Sequence, residues 1–233
     1  MIITFISDTH TKHRYCEDDL PGGDLLIHAG DIMNSGYDEN DVWEFLDWFD
    51  KQEKYKGHVF IAGNHDRYFE NKPDETKNIL REYPYITYLQ DNSLLYTNEE
   101  NNDACSIYGS PWQPTFHNWA FNLPRNGEEL LNKWNDIPED IDILITHGPP
   151  WGHLDVTPYG NLNVGCEVLR ERIDVIKPKI HVFGHIHGAN GYYFNGHTHF
   201  FNASVLNERY NYTNKPFHFE WNQATNEIKW LKD

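Results

Sequence analysis

The run IITFISDTH at residues 2–10 decides the fold class of this chain. Its first five residues are apolar or β-branched and lack the polar alternation of a half-exposed strand, so they predict a buried strand at residues 2–6. Two side chains that can bind a metal, Asp8 and His10, follow directly. The predicted strand therefore has two potential metal ligands just beyond its carboxyl end.

The same order of apolar run, small residue and potential metal ligand recurs four times along the chain. Buried strands are predicted at residues 25–29, 59–62, 141–146 and 180–183. The polar residues that follow them are, in order, Asp31; Asn64, His65 and Asp66; His147; and His185 and His187. Because the carboxyl ends of strands in an open α/β sheet face one crevice, we expect these side chains to converge.

Between these strands the sequence predicts helices and further strands. Residues 41–49 repeat apolar side chains at a spacing of three to four, which is typical of an amphipathic crossover helix. Further helices are predicted at residues 74–81, 127–134 and 163–176. Short β-type runs are predicted at residues 86–89, 93–96, 104–108, 192–194, 198–201, 217–221 and 228–231, with a loop tip at 98–103. We therefore expect an α/β fold with two packed sheets and helices outside.

Length, charge and cysteine content narrow the class of protein. A chain of 233 residues is expected to form one domain over residues 1–233. Its formal net charge of −17 repels nucleic-acid backbones and disfavours a nucleic-acid partner. Three widely separated cysteines do not predict a disulfide scaffold, and no apolar stretch is long enough for a membrane span. We expect a cytoplasmic protein without membrane association, and the sequence leaves the oligomeric state open, a homodimer included.

The candidate ligands agree in chemical type. They are carboxylates, imidazoles and one carboxamide, which suit Mn²⁺, Fe or Zn²⁺ and differ from the thiolates of a structural zinc site. The candidates are Asp8, His10, Asp31, Asn64, His147, His185 and His187. This set exceeds what one tetrahedral ion uses and suits two ions, with the Asp31 carboxylate as the natural bridge. Each motif alone is more often a turn or a core residue, so the prediction depends on their conjunction.

The ordered motifs resemble those of the calcineurin-like metallophosphoesterase superfamily. The matching motifs are Asp8-x-His10, Gly30-Asp31, Gly63-Asn64-His65-Asp66, Thr146-His147-Gly148 and Gly184-His185-x-His187. Residues 108–112, 119–125 and 146–150 are similar to the branch of metallophosphoesterase-domain-containing phosphodiesterases from animal brain and its microbial relatives. The resemblance spans nearly the whole chain and implies a four-layer αββα sandwich, in which two mixed sheets pack face to face.

The resemblance also implies how the two metals are shared among the motif residues. One metal would be held by Asp8, His10, Asp31 and His187, and the other by Asp31, Asn64, His147 and His185. Some members of the branch have glycine at the position of His185. The histidine at this position in the present chain implies that the full site assembles.

Two further positions bear on the reaction that the resemblance implies. His65 matches the family's catalytic histidine, and Asn64 and His65 would contact the substrate beside the bridging Asp31. Asn34 stands where the superfamily's protein phosphatases have an aspartate that orients the catalytic histidine. This departure counts against protein phosphatase activity.

The resulting hypothesis is a dinuclear metal-dependent phosphodiesterase acting on small diesters, with cyclic nucleotides as the substrate class that the branch implies. Two cations lower the pKa of a shared water toward about 7, so that a metal-bridging hydroxide can attack phosphorus. Mn²⁺ is the ion expected to support activity in vitro. The alternatives are a phosphomonoesterase or nucleotidase on the same site, a nuclease, and a non-catalytic protein-binding scaffold.

Residues outside the motifs are predicted to have supporting roles. Residues 202–204 follow a predicted strand and resemble a family segment that supports the site from behind the ligands. His117 and His153 are expected in loops at the rim of the cleft, whereas His28 and His181 are expected to be packed. Trp119 is expected mainly to anchor the core or a loop, with stacking on a nucleobase or aryl group as the alternative.

Overall fold

Strands and helices alternate in the computed structural model of the protein, which describes residues 1–98, 100, 103–158 and 160–231. The strands are β1 (Ile2–Ile6), β2 (Gly23–Ala29), β3 (Tyr55–Ile61), β4 (Ile86–Tyr88), β5 (Asn92–Asn98), β6 (Asp103–Ser110), β7 (Gln113–Pro114), β8 (Asn122–Leu123), β9 (Ile143–Thr146), β10 (Ile180–Phe183), β11 (Gly191–Phe194), β12 (His199–Asn202), β13 (Phe217–Asn222) and β14 (Glu227–Trp230). The α-helices are α1 (Glu39–Asp50), α2 (Arg67–Asn71), α3 (Pro73–Leu80), α4 (Glu128–Asn135) and α5 (Glu167–Ile176). Short 3₁₀ segments cover His13–Asp19 and His187–Ala189.

Most of these strands belong to two six-stranded sheets. The first has the order β14-β13-β1-β2-β3-β4 and the second the order β11-β12-β10-β9-β6-β5. In the first sheet β1 to β4 run parallel and β13 pairs antiparallel with β1. In the second sheet β6, β9, β10 and β12 run parallel, with antiparallel partners at both edges. Both sheets are therefore mixed, and β7 and β8 form a separate ribbon.

Alternating side chains pack the two sheets face to face. Ile3 and Phe5 of β1 share one buried core with Ile143 and Ile145 of β9 in the opposite sheet. Phe60 of β3 belongs to a different core on the outer face of the first sheet. This alternation follows from the period of two along a strand, which sends successive side chains to opposite faces.

Helices cover the outer face of each sheet. Phe45 of α1 and Phe69 of α2 pack in the same core as Phe60, outside the first sheet. Trp134 of α4 and Ile173 of α5 pack in a third core outside the second sheet. The layers therefore follow the order helices, sheet, sheet, helices, which confirms the predicted αββα sandwich.

Some element boundaries differ from the prediction. The helix predicted from residue 163 begins at Glu167, because backbone bonds hold the preceding segment: Cys166 N donates to Pro149 O at 2.9 Å. The short helix α2 was not predicted and begins directly after Asp66. Of the loop tip predicted at 98–103, Asn98 ends β5 and Asp103 begins β6, while residues 99, 101 and 102 lie outside the described residues.

Two further features concern the cysteines and the helices. Cys16, Cys105 and Cys166 are all buried and free. Across residues 1–98, 100, 103–158 and 160–231, no helix combines the length and hydropathy that a membrane span needs.

The carboxyl ends of strands from both sheets meet at one edge of the sandwich. Just beyond β1, Ser7 forms an isolated parallel bridge with Ser204, which follows β12 of the other sheet. In the same region Asp8 N donates to Gly30 O and Gly184 N donates to His147 O, each at 2.9 Å. The loops that carry the predicted ligands are therefore tied to one another by their backbones.

A buried imidazole in the second sheet gives the stability of the protein a pH dependence that can be measured. The Thr146 hydroxyl donates to Gly148 O, so it accepts a hydrogen bond from His181 Nε2 at 2.8 Å. Burial holds the pKa of His181 well below its usual value of 6.5, since a charged ring would lose its hydration. Because the folded pKa is depressed, this contribution to stability is present above pH 6.5 and is lost as the pH falls.

We therefore expect the wild type to lose about 2 kcal/mol more unfolding free energy between about pH 7.5 and pH 5 than the His181→Gln variant does. Urea denaturation at both pH values measures this difference, and His117→Gln, at an exposed histidine, is the matched control. The same pH dependence in wild type and His181→Gln would contradict the expectation.

Candidate metal centre

The predicted ligands lie on backbone turns that few residues adopt. The φ angles of Asp8, His10, Asp31 and His185 are 55°, 42°, 59° and 68°. Non-glycine residues in this left-handed region are uncommon and concentrate at functional sites, although Asp and His tolerate it better than β-branched residues. The backbone in the turns after β1, β2 and β10 therefore adopts unfavourable conformations, and these conformations position the candidate ligands.

Two glycines allow the loops to approach the ligands closely. A Cβ on Gly184 would lie 2.0 Å from Asp8 Oδ2, and a Cβ on Gly30 would lie 2.6 Å from His147 Nδ1. Gly30 also has a positive φ of 97°. Glycine is required at both positions because any side chain would displace a candidate ligand.

The first group of candidate ligands surrounds Asp8. His187 Nε2 lies 3.3 Å from Asp8 Oδ1 and 3.2 Å from His10 Nε2. The backbone N–H of His185 donates to the Asp8 carboxylate at 3.0 Å, and the Ser204 hydroxyl donates to Asp8 Oδ2 at 2.8 Å. Asp8 is thus held by two loops of the second sheet while it faces two imidazoles.

The second group surrounds the Asn64 carboxamide. Asn64 Oδ1 lies 3.0 Å from His147 Nε2 and 2.7 Å from His185 Nδ1. His147 Nε2 also lies 3.3 Å from Asp31 Oδ2. These contacts join the predicted ligands of the second metal into one cluster, in which Asn64, His147 and Asp31 are buried and His185 is partly buried.

Asp31 connects the two groups through a single oxygen atom. Its Oδ1 accepts the backbone N–H of His65 at 2.7 Å. Its Oδ2 lies 3.6 Å from His10 Nε2 and 3.3 Å from His147 Nε2, between the two groups. These distances place Asp31 Oδ2 where it could contact a cation held by either group.

Hydrogen bonds to backbone carbonyls fix which ring nitrogen of three histidines faces the site. The Nδ1 atoms of His10, His147 and His187 each lie 3.0 Å from a carbonyl oxygen, of Met33, Ala29 and Asn207 respectively. Carbonyl oxygens only accept hydrogen bonds, so these Nδ1 atoms carry hydrogens. In a neutral ring the Nε2 atom then carries a lone pair, and this is the atom that faces the site.

The result is a set of lone pairs that face one another. Nε2 atoms, carboxylate oxygens and the Asn64 carbonyl oxygen are all acceptors, and acceptors at 3 Å repel unless a proton or a cation lies between them. Ligand atoms fall within 4.8 Å of one another in three groups: Asp8, His10 and His187; His10, Asp31 and His65; and Asp8, Asp31 and His147. The donor set therefore fits divalent cations.

The pKa values describe the same negative environment. Burial lowers the pKa of His147, but Asp31, with contributions from Asp8 and the carbonyl oxygen of Ala29, raises it to about 9. Burial also lowers the pKa of His187, but Asp8, with contributions from the carbonyl oxygen of Asn207 and from Asp31, raises it to about 9. Burial dominates at His185 and lowers its pKa to about 3, so this ring is neutral at pH 7 and offers a lone pair. Two carboxylates thus attract positive charge at the site.

Comparison with known proteins identifies the family. Residues 1–189 match the family model described as "Calcineurin-like phosphoesterase". The chain belongs to this family. It is 39% identical over 232 residues to metallophosphoesterase domain-containing protein 1 of Homo sapiens, an alignment covering 91% of this chain and 68% of the relative. It is 36% identical over 222 residues to UPF0046 protein T07D4.2 of Caenorhabditis elegans, and this alignment covers 86% of this chain and 55% of the relative.

A solved structure is similar to this chain in fold. The crystal structure of TT1561 of Thermus thermophilus matches with a TM-score of 0.67 and 14% sequence identity, covering 98% of this chain and 96% of that chain. At that identity the likeness concerns the fold alone. The family membership itself makes this calcineurin-like phosphoesterase a metal-dependent hydrolase of phosphoesters and implies a dinuclear centre of divalent ions.

His65 lies beside the ligand cluster and is held on three sides. Its backbone N–H donates to Asp31, and its Nδ1 donates to the carbonyl oxygen of Asn34. Its ring stacks on Trp119, with the ring centroids 4.0 Å apart, and the Arg67 guanidinium lies 5.3 Å from the same indole. The backbone of Asn34 thus orients His65, so the missing aspartate side chain at this position does not leave the imidazole free.

The sequence did not reveal the residue that organises the central loops. Asp66 is fully buried, and its carboxylate accepts backbone N–H groups from Asp31, Ile32, Met33 and Gly63 at 2.7 to 3.2 Å. It therefore fixes the loop after β2 to the loop after β3. The only signal in the sequence was the position of Asp66 in the motif beside His65.

The other predicted residues have mixed outcomes. His28 and His181 are fully buried, as expected. His117 is exposed, but the expectation for His153 was wrong, because its ring is buried and stacks on Phe200 at 4.2 Å. Residues 202–204 do support the site, since Ser204 donates to Asp8.

The hydrogen bond from Ser204 to Asp8 is expected to strengthen metal binding. The Ser204→Ala variant leaves Asp8 Oδ2 without that donor, and loss of such a support typically weakens metal affinity about ten- to a hundredfold. Competition with a fluorescent chelator measures the affinity. Ser110→Ala is the matched control, because Ser110 is also buried and donates to a carboxylate, Asp91, at 2.8 Å. Equal affinities of the two variants would contradict a role of Ser204 at the centre.

Proposed function

We propose that this calcineurin-like phosphoesterase hydrolyses small phosphodiesters at a centre of two metal ions bridged by Asp31. Asp8, His10, Asp31 and His187 would hold one ion, and Asp31, Asn64, His147 and His185 the other. The observation that carries the proposal is the convergence of lone pairs from both groups on Asp31 Oδ2. Mn²⁺, Fe and Zn²⁺ all suit these ligands, so availability decides between them.

The chain's own residues have separate tasks in this proposal. Two bound divalent ions supply an activated water and positive charge for the phosphoryl oxygens. Asn64 and His65 flank the cleft and would hold the phosphoryl group. His65 Nδ1 donates to Asn34 O, so Nε2–H of the imidazolium form would be the group left to donate to a phosphoryl oxygen or to protonate the leaving oxygen.

The lining of the cleft favours a diester over a monoester. A cavity of about 230 Å³ lies over the ligands and is bordered by Phe116, Glu208 and Tyr210. None of the described residues that line it is a lysine or an arginine, and Glu208 adds negative charge. Such a wall offers no positive side chain for the second charge of a monoester dianion, whereas a diester carries one charge and two organic groups.

A substrate panel tests this proposal. Protein stripped of metal and reloaded with Mn²⁺, Fe²⁺ or Zn²⁺ is assayed on bis(p-nitrophenyl) phosphate and on p-nitrophenyl phosphate. We expect faster hydrolysis of the diester, with Mn²⁺ as the most active ion in vitro. Faster hydrolysis of the monoester would instead support a phosphomonoesterase or nucleotidase. Failure to cleave either ester with any ion would overturn the proposal and support a protein-binding scaffold.

A further inference from the structure

A second cavity adjoins the candidate metal centre. It has a volume of about 250 Å³ and shares Phe116, Thr157, His185 and Ile186 with the cleft over the ligands. Its own walls include Gln113, Gly148 and Cys166. A group esterified to a phosphate held in the cleft would therefore have this space beside it.

Arg125, a charged residue in the wall of this cavity, already forms hydrogen bonds and an ion pair with other residues. Arg125 donates to the carbonyl oxygens of Val164 and Gly165 and pairs with Glu167 at 2.6 Å. Its guanidinium therefore closes the wall rather than offering a site for an anion. The cavity consequently suits a neutral group.

Contacts of Asn122 settle how the amide of Gln113 is oriented. The amide nitrogen of Asn122 lies 3.2 and 3.1 Å from the carbonyl oxygens of Phe116 and His117, which only accept. Asn122 Oδ1 accepts the backbone N–H of Phe116 at 3.2 Å and the Gln113 amide nitrogen Nε2 at 3.3 Å. Because Nε2 is fixed by this donation, the other end of the Gln113 amide is the carbonyl oxygen Oε1.

That oxygen is a buried acceptor without a partner. Gln113 is 1% exposed, and its Oε1 has no hydrogen-bond partner among the described residues. The space in front of Gly148 is open toward it: a Cβ on Gly148 would meet only Gln113, at 3.5 Å from its Cβ and 3.7 Å from Oε1. Native proteins rarely leave such an acceptor unpaired, so a donor from a ligand would satisfy it.

We propose that this cavity binds a neutral ring group of the substrate that presents an N–H donor, and that Gln113 Oε1 accepts from that donor. The inference deepens the proposed phosphodiesterase function and rests on it. Gln113 is then a specificity residue, because an ester whose ring lacks the donor leaves the buried oxygen unpaired.

Chromogenic esters with and without the donor test this inference. The first pair is the p-nitrophenyl ester of thymidine 5′-phosphate, with its ring N–H, and its N3-methyl analogue. The second pair is the corresponding esters of adenosine and of purine riboside, which lacks the amino group. In the wild type we expect kcat/KM to favour the donor ester in at least one pair by about ten- to a hundredfold.

Two variants should remove that preference. Gln113→Met keeps the length of the side chain without the acceptor, and Gly148→Ala fills the space in front of Oε1 with a methyl group at ordinary contact distance. Circular dichroism and metal content report whether both variants fold, and the ratio of kcat/KM between the two esters of a pair cancels any change common to both esters. Gln90→Met is the matched control, since Gln90 is exposed and lies outside this cavity.

The outcomes separate this inference from the proposed function. An unchanged preference in Gln113→Met, or no preference in the wild type, overturns the inference while diester hydrolysis stands. If the wild type hydrolyses no ester, the proposed function fails, and calorimetry with the free nucleosides tests the cavity alone. Donor-dependent binding that Gln113→Met abolishes would then support the cavity assignment, and equal binding would overturn it.

Discussion

The Asp31→Ala variant is expected to bind neither metal ion and to lose phosphoester hydrolysis. Asp31 Oδ2 lies 3.6 Å from His10 Nε2 in one group of ligands and 3.3 Å from His147 Nε2 in the other, so its removal would take a negative ligand from each proposed metal at once. Loss of a supporting contact alone costs about ten- to a hundredfold in affinity, and a shared ligand should cost more for each ion. Because bound metals supply several kcal/mol of transition-state stabilisation, we expect turnover to fall by about a thousandfold or more.

Metal content after gel filtration and hydrolysis of bis(p-nitrophenyl) phosphate measure the two effects of Asp31→Ala. Asp50→Ala is a suitable control, because it removes the same charge from an exposed position at the end of α1. An Asp31→Ala protein that retains two metals would show that another residue bridges them.

The His65→Ala variant is expected to keep both metals and lose most of kcat. His65 borders the cleft, and its Nδ1 is bonded to Asn34 O, which leaves Nε2 for the substrate. A general acid usually contributes about 10² to 10⁴ in rate, and we expect a loss in that range. The metal content of the same variant decides whether His65 is instead a metal ligand. His65 belongs, with His10 and Asp31, to one of the groups of side chains that could hold a metal ion.

His117→Ala controls for the loss of an imidazole near the cleft, since His117 is exposed and contacts the neighbouring Phe116 ring. Undiminished turnover of His65→Ala would remove His65 from the mechanism. Loss of one metal ion from the same variant would assign His65 to the metal centre.

The strand ends were the part of the site that sequence could predict. Five buried apolar runs, each followed by a small residue and a potential ligand, lead to Asp8, Asp31, Asn64, His147 and His185, and the conjunction of these runs, not any one of them, predicted a site. Parallel pairing then brings the runs of each sheet to a common edge. These side chains do converge, as expected for the carboxyl ends of parallel strands, whereas their role as metal ligands stays a prediction.

The contacts that hold the ligands could not be predicted in the same way. Asp66 organises backbone N–H groups from a loop more than 30 positions away, and Trp119 stacks on His65 from the loop between β7 and β8. Nothing in local composition distinguishes such residues from an ordinary turn aspartate or core tryptophan. The burial of His153 was missed for the same reason, because stacking on Phe200 depends on tertiary packing.

Several expectations from the sequence stay predictions. They are a single domain over residues 1–233, a cytoplasmic location, and an oligomeric state that includes a homodimer as one option. The acidic surface still disfavours nucleic-acid partners, since a net charge of −17 opposes their approach.

Anomalous diffraction from crystals grown with Mn²⁺ tests the dinuclear centre most directly. We predict two peaks on either side of Asp31 Oδ2, one beside Asp8, His10 and His187 and the other beside Asn64, His147 and His185. A single peak, or peaks that Asp31 does not contact, would contradict the account.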